Sequence, residues 1–373
     1  MKRALLAPLA LLLASCATVP PSPMSHAARI AELLRAHPIV LAPMEDVTDA
    51  VYRRLCRALG AVVCVTEFVR AEQLVHGSRI ARRKVDLAPD DQPTAIQIYG
   101  ADPVCLLEAA EIAARARPAY VDVNCGCWVP RVAGRGAGAG WLRDPAAMVA
   151  MAARVVAAVD LPVTVKTRIG WGPESHMPIV DLARRLEDVG VAGLTIHCRT
   201  AQVGHSGAAD WSWARRAREV VSIPVVVNGD VRTGPDVVRA LAETGCAGAM
   251  VGRAAIDHPW VFREARALLE RGERLAPPDD GERIDFYRQL LVANVGARGE
   301  KNGIEVCRRH LGLFGPTLRA RVRGPLCAAG SLADSLAVLE RAADAATVGA
   351  GEAPAPIRTA SRPSASPAMQ PPS

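Results

Sequence analysis

From about residue 38 onward the chain alternates between two kinds of segment. Short runs rich in Val, Ile and Leu occupy 38–44, 61–68, 94–100, 119–126, 161–170, 192–199, 223–230 and 247–255. Between most of them lie helix-length stretches with apolar residues at i, i+3 and i+4, clearest at 145–159 and 179–190. The runs are nearly continuous in apolar character, as expected of parallel strands covered on both faces by helices. Eight of them within about 220 residues predict an α/β fold, a closed (β/α)8 TIM barrel over residues 24–272. The rival is an open doubly wound sheet, and no Gly-x-Gly-x-x-Gly follows the first run to favour it.

The rhythm stops after about residue 270. A Pro-rich break, "LAPPDDGE", covers 275–282, and a helical region follows at 283–346, which predicts a small C-terminal all-α domain. Residues 347–373, rich in Pro, Ser and Ala, are expected to form a disordered tail. Residues 1–23 stand apart. Their basic start, apolar stretch and Leu13-Ala14-Ser15-Cys16 have the look of a bacterial lipoprotein signal, with Cys16 as the lipidated residue. The alternative is translation from Met24, directly before the first strand, which gives a cytoplasmic protein. The cytoplasmic reading is preferred because the chemistry below needs cytosolic partners.

Composition narrows the class. The 373 residues are 50% hydrophobic and 22% charged, a globular balance, and aromatics are scarce at 4%, so the core must be aliphatic. Ten cysteines are scattered without a Cys-x-x-Cys pair, mostly inside apolar runs, which suits a reducing compartment better than a disulfide framework. The net charge of +7 favours a polyanionic partner. Locally the bias is stronger: over 298–323, Arg298, Lys301, Arg308, Arg309, Arg319, Arg321 and Arg323 face only Glu300 and Glu305. That segment reads either as a solvated helix face or as a phosphate-binding surface.

The ends of the eight runs carry polar residues in succession: Met44-Glu45-Asp46, Glu67, Gln97, Asn124 to Cys127, Lys166-Thr167-Arg168, His197-Cys198-Arg199, Asn228-Gly229-Asp230 and Gly252-Arg253. In a parallel barrel these ends open on one mouth, where active sites are built. Gly229, Gly252 and Arg253, at the seventh and eighth runs, sit where such barrels commonly bind phosphate. Lys166, Gln97 and His197 would surround a flat ligand whose phosphate lies there. A flavin fits: a lysine near its N1/O2 edge stabilises the reduced anion. For His197 a core histidine bonded to backbone is the plainer alternative.

The stretch "VDVNCGCWVPRVAGRGAGAG" (121–140) holds two cysteines one residue apart. Two ligands fall short of the four that zinc needs, so no metal site is expected. A disulfide at that spacing is strained. What remains is one buried and one working cysteine. Alternation puts Val121, Val123 and Cys125 on one face and Asp122 and Asn124 on the other. Cys127 lies past the strand, released into the mouth, where a largely protonated thiol serves as an acid. The glycine-rich continuation is expected to be a mobile loop.

These motifs together resemble the tRNA-dihydrouridine synthases of the bacterial type. The resemblance runs from about Ile39 to Leu339 and rests on "LAPMEDVTDAVYRRL", "TEFVRAEQLV", "AIQIYGADP", the 121–140 stretch, "VTVKTRIGW", "IHCRT" followed by "GAADW", "VVVNGDV" and "VGRAAIDHPWVF". It implies a barrel that binds FMN and a helical domain that grips tRNA, with NADPH as the reductant. It implies that Cys127 protonates C5 of a target uridine while the reduced flavin delivers hydride to C6. By position, Pro43, Met44, Gln97, Lys166, His197, Asn228, Gly229, Asp230, Gly252 and Arg253 match flavin-contacting motifs. Asn124 and Arg199 match residues near the substrate base, and Arg131 stands where the family usually has lysine. Arg308 and Arg309 are the candidate tRNA contacts of the basic segment. Two departures stand out: Trp128 replaces the usual proline after the cysteine, and Cys125 replaces a larger apolar residue. Losing that proline frees a φ angle in the turn.

Overall fold

Eight parallel strands close into a ring in this computed structural model, which describes residues 24–173 and 177–350. They are β1 (Ile39–Leu41), β2 (Val63–Val65), β3 (Thr94–Tyr99), β4 (Val121–Cys125), β5 (Val163–Arg168), β6 (Gly193–His197), β7 (Val225–Asn228) and β8 (Gly248–Val251). Each strand pairs in parallel with the next, and β1 closes on β8 with Ile39 opposite Ala249 and Leu41 opposite Val251. A two-residue ladder, Val69–Arg70, adds to the carboxyl end of β3. The strands are shorter than the apolar runs that announce them, because polar and glycine residues at the carboxyl ends leave the ladder for the loops. The expected α/β TIM barrel is therefore the fold, with a helical C-terminal region after it.

The period-two alternation sorts the side chains into two cores. Outward residues such as Leu41, Ile96, Val123, Val165, Ile196 and Val227 join the helices in one large cluster. Inward residues, among them Val40, Val63, Ala95, Tyr120, Val226 and Met250, form a smaller second cluster inside the ring. The helix His26–Ala36 closes the amino-terminal end by adding Ile30 and Leu34 to that inner cluster. Its cap is Ser25, whose side chain accepts from the Ala28 N–H. The bottom is plugged mainly by aliphatic residues, with Thr164 and Thr195 beside them, and most polar inward positions lie in the upper layers.

The C-terminal region packs helices Asp280–Arg298, Glu300–Cys307, Pro316–Ala328 and Leu332–Ala350 beside the barrel. The last helix extends into the segment expected as a tail; residues 351–373, like 1–23 with Cys16, lie outside the described residues. An aromatic seam joins the two parts: Tyr52 stacks on His310 at 4.7 Å and meets Phe286 edge-on, and Phe286 also contacts Trp260. Ion pairs Asp49–Arg298 and Arg263–Glu282 flank the seam. Among the described residues no helix is long and apolar enough to cross a membrane.

The helical pair depends on one close approach. At Gly303 an added Cβ would lie 2.5 Å from the Val295 backbone, which cannot yield. Gly303→Ala is expected to cost about 1–3 kcal/mol, read as a lower urea midpoint. Gly296→Ala, with nothing within 4 Å, is expected instead to stabilise by about 0.5–1 kcal/mol through helix propensity.

Candidate active site

The strand register brings the inward polar residues together ring position by ring position. Gln97 lies opposite Asp122, Asn124 opposite Lys166, and Arg168 opposite His197, which is itself opposite Asn228. Above them the carboxyl ends of the strands open into a cavity of about 620 Å³. Pro43, Met44, Asn124, Cys127, Lys166, His197, Arg199, Asn228, Gly229, Asp230, Gly252 and Arg253 all line it. Residues expected from the sequence thus converge from the ends of β1, β4, β5, β6, β7 and β8, although Pro43 and Arg253 stand at opposite ends of the barrel sequence.

Cys125 and Cys127 occupy opposite environments. Cys125 is fully buried on the outer face of β4, as alternation requires, and burial pushes its thiol far up. Cys127 sits past the strand, partly open to the cavity. Burial raises its thiol above the ordinary range; the Val129 N–H and the charges of Arg168, Lys166 and Arg131 pull it down without cancelling that rise. The group is therefore protonated at neutral pH and has cations nearby to receive the thiolate.

The loop that presents Cys127 is held from three sides. The Asn124 side-chain Oδ1 accepts from the Gly126 and Cys127 N–H groups at 3.0 and 2.9 Å. Arg168 donates Nε to the Gly126 carbonyl at 2.8 Å and Nη1 to those of Thr200 and Gly204. The Cys127 carbonyl accepts from the Ala139 N–H at 2.9 Å. The expected mobile loop is not found there: Pro130–Ala133 and Gly138–Arg143 form short helices, and residues 137–142 are buried. The glycines serve close packing. Gly138 has φ +56°, and a Cβ on it would lie 2.7 Å from the Cys127 oxygen.

The far wall is strongly cationic. Burial, then Arg168, lowers Lys166 to about 8, and Nζ has no hydrogen-bond partner among the described residues. Arg253 likewise has no hydrogen-bond or ion-pair partner among them. Burial and the surrounding cations push His197 far down, so the ring is neutral. Its Nε2 faces Arg199 Nη1 at 3.4 Å, and a guanidinium only donates, so the ring proton belongs on Nδ1. Arg199 is spent on structure: it pairs with Asp230 at 2.6 Å and donates to the carbonyls of Ser206 and Gly207.

A profile of the dihydrouridine synthase family matches residues 40–321. Every motif that converges on the cavity lies inside the matched span. The chain belongs to the dihydrouridine synthase family. It is 35% identical to a tRNA-dihydrouridine synthase B of Shewanella oneidensis over 74% of this chain and 85% of the relative. It is 34% identical to a probable tRNA-dihydrouridine synthase of Rhodobacter capsulatus, over 82% and 94%. The corresponding figures for a tRNA-dihydrouridine synthase B of Pseudomonas aeruginosa are 34%, 75% and 84%.

Four residues expected from the sequence lie outside the cavity lining of this family member. Gln97 is wholly buried beneath the floor, with its amide engaged by Asp122 and Asn124. Arg131 is exposed on the helix after Cys127. Arg308 and Arg309 are exposed on the helical region; Arg308 donates to the Cys327 carbonyl and Arg309 to the Asp46 carbonyl at 2.6 Å. Glu45 and Glu67 at the rim share Lys84, at 2.6 and 3.3 Å. Trp128 lies edge-to-face with His205 at 5.6 Å, and Gly204 packs against its ring. His205, a loop residue, had no periodic signal to mark it. Arg168 had one: it shares the inward parity of Lys166.

Asp230 supplies a pH test of the wall. Burial alone would raise its carboxyl, but donors from Arg199, Ala209 and Arg232 outweigh that and bring it to about 2. Its charge then stabilises the fold above the ordinary carboxylate range, and that gain is lost as pH falls through about 2. Solvent screening at the open side holds the gain to at most about 2 kcal/mol. Thermal midpoints measured from about pH 5 down to pH 2 are expected to fall less steeply in Asp230→Asn than in the wild type. Parallel acid limbs would remove Asp230 as their source.

Proposed function

We propose that this protein is a tRNA-dihydrouridine synthase that reduces the C5=C6 bond of uridines in tRNA, with FMN as its redox group and NADPH as its reductant. The observation that carries the reading is a protonated thiol, Cys127, in the same cavity as Lys166, His197 and Arg253. The family and the relatives' names support the activity; the residues support the cofactor. A cavity of about 620 Å³ suits a cofactor. Arg253, unpaired among the described residues, and the backbone at Gly229 and Gly252 would hold the phosphate. A Cβ at Gly252 would meet only Ala42, at 3.7 Å, so the wall stays open there. Lys166 would face the pyrimidine edge of the ring, with the neutral His197 donating from Nδ1, and Pro43, Met44, Asn228 and Asp230 would complete the seat.

Reduced FMN, when bound, would supply the hydride for C6. Cys127 would give its proton to C5. The resulting thiolate is stabilised by Arg168 and Lys166, the same cations that lower its pKa, and recovers a proton from solvent through the open cavity. Asn124 flanks the thiol, and Arg199 fixes the wall on the β6 side. The base must leave its stack to enter. Lys301, Arg319, Arg321 and Arg323 are exposed on the helical region without ion-pair partners among the described residues. With Arg308, Arg309 and Arg131 they would grip the RNA backbone, with affinity that falls as salt rises. A tRNA substrate fits a cytoplasmic protein.

Mass spectrometry of tRNA from a strain lacking the gene is expected to show dihydrouridine missing at defined positions. Complementation separates the cysteines. Cys127→Ala should purify yellow with FMN yet lose dihydrouridine formation by about 10²–10⁴-fold, whereas Cys125→Ala should keep both colour and activity. Equal loss in the two variants would overturn the assignment of the acid.

A further inference from the structure

Four buried side chains form one unbroken line from the barrel interior to the Cys127 loop. Thr164 Oγ1 donates to Asp122 Oδ1 at 2.5 Å, and Gln97 Nε2 donates to Asp122 Oδ2 at 2.6 Å. Asn124 Nδ2 donates to Gln97 Oε1 at 2.9 Å, and Asn124 Oδ1 then accepts from the Gly126 and Cys127 N–H groups. None of the four side chains belongs to a residue more than 6% exposed.

The line has a direction: among its side chains only Asp122 imposes it, and the Gly126 and Cys127 N–H groups, which only donate, require the same direction at the other end. Primary amides accept and donate, so Gln97 and Asn124 could each be turned end for end. An ionised carboxylate only accepts. Asp122 therefore forces Gln97 to present its NH2 downward and its oxygen upward. That in turn makes Asn124 present its NH2 to Gln97 and its oxygen to the loop. Reversed, Asn124 would aim NH2 at two backbone N–H groups, and the loop would lose its anchor.

We propose that Asp122 is the positioning residue of the active site: through Gln97 and Asn124 it sets the orientation that holds the Gly126–Cys127 backbone and so aims the Cys127 thiol. This rests on the proposed role of Cys127 as acid, but the hold on the loop does not depend on that role. Burial raises the Asp122 carboxyl to about 6, and the donors Gln97 and Thr164 with the charge of Lys166 offset part of that rise, so the group is ionised at neutral pH.

The test uses the FMN-loaded protein and two readouts. The first is amide hydrogen exchange at Gly126 and Cys127; the second is turnover on tRNA. Asp122→Asn removes the fixed polarity while keeping the shape. Exchange at those two amides should rise at least about tenfold, and kcat should fall by up to about 10²-fold with the tRNA KM little changed, as a misaimed reacting group requires. The double variant Gln97→Glu/Asp122→Asn moves the carboxylate one link along. The carboxylate introduced at position 97 then accepts both from the amide introduced at position 122 and from Asn124. The polarity at Asn124 is restored, and exchange should return to the wild-type rate. A carboxylate of merely structural value predicts the opposite: exchange raised throughout the barrel and worsened in the double variant. Should Asp122→Asn fail to fold, Gln97→Met cuts the line while leaving the carboxylate in place and should loosen the same two amides. Unchanged exchange at Gly126 and Cys127 in the folded variants would overturn the proposal. Altered exchange without any tRNA reduction by the wild type would leave it standing and overturn the proposed function instead.

Discussion

A closed ring of parallel strands has one interior, and the side chains that alternation turns inward at its carboxyl end can only meet one another. Everything at the site follows from that constraint. The amino-terminal half of the interior is filled mainly with aliphatic side chains and sealed by Ile30 and Leu34. The polar layer is thereby pushed to the open end, where Asn124, Lys166, Arg168, His197 and Asn228 occupy adjacent strands of one ring. The outward parity, meanwhile, stays apolar and binds the helices, so the site is carried by the same strands that carry most of the core.

Concentrating cations at the mouth costs stability, and the structure offsets part of that cost locally. Arg168 and Arg199 spend their donors on loop carbonyls and on Asp230, which turns charge into rigid walls. Lys166 and Arg253 stay without such partners among the described residues, and His197 relieves the crowding by staying neutral. The same field acts on Cys127 in the opposite sense from burial. The thiol keeps its proton, with Arg168, Lys166 and Arg131 close enough to pull its pKa down against burial. The Trp128 ring packs against Gly204 and lies edge-to-face with His205, which ties the Cys127 loop to the loop after β6.

Much of this was legible in the chain. Eight apolar runs announced eight strands, and the parity of 121–125 separated the buried Cys125 from the mouth-facing Cys127. Polar residues at successive strand ends located the cavity. What could not be read was contact through space. Gln97 looked like a ligand-facing residue because of its place at a strand end; it lies under the floor because Asp122, on the neighbouring strand, claims its amide. Asp122 itself looked like one more inward polar residue, and only the line of hydrogen bonds shows what it reaches. The glycine-rich stretch suggested mobility, since composition does not distinguish glycines that permit motion from glycines that permit close packing. Among the basic residues, Arg298 and Arg309 proved to be joined to the barrel through Asp49 and Asp46. The sequence imbalance alone counted them equally with the unpaired ones.

The central claim is that a bound flavin and the Cys127 thiol act together on one base that must be delivered by an RNA. Anaerobic mixing of the reduced, FMN-loaded protein with tRNA lacking dihydrouridine tests it directly, followed by the return of the oxidised flavin's colour and by the dihydrouridine formed. The account predicts rapid reoxidation with one dihydrouridine made for each flavin oxidised, and none with free uridine nucleotides. Reoxidation by free nucleotides as fast as by tRNA, or colour returning without dihydrouridine in the RNA, would contradict it.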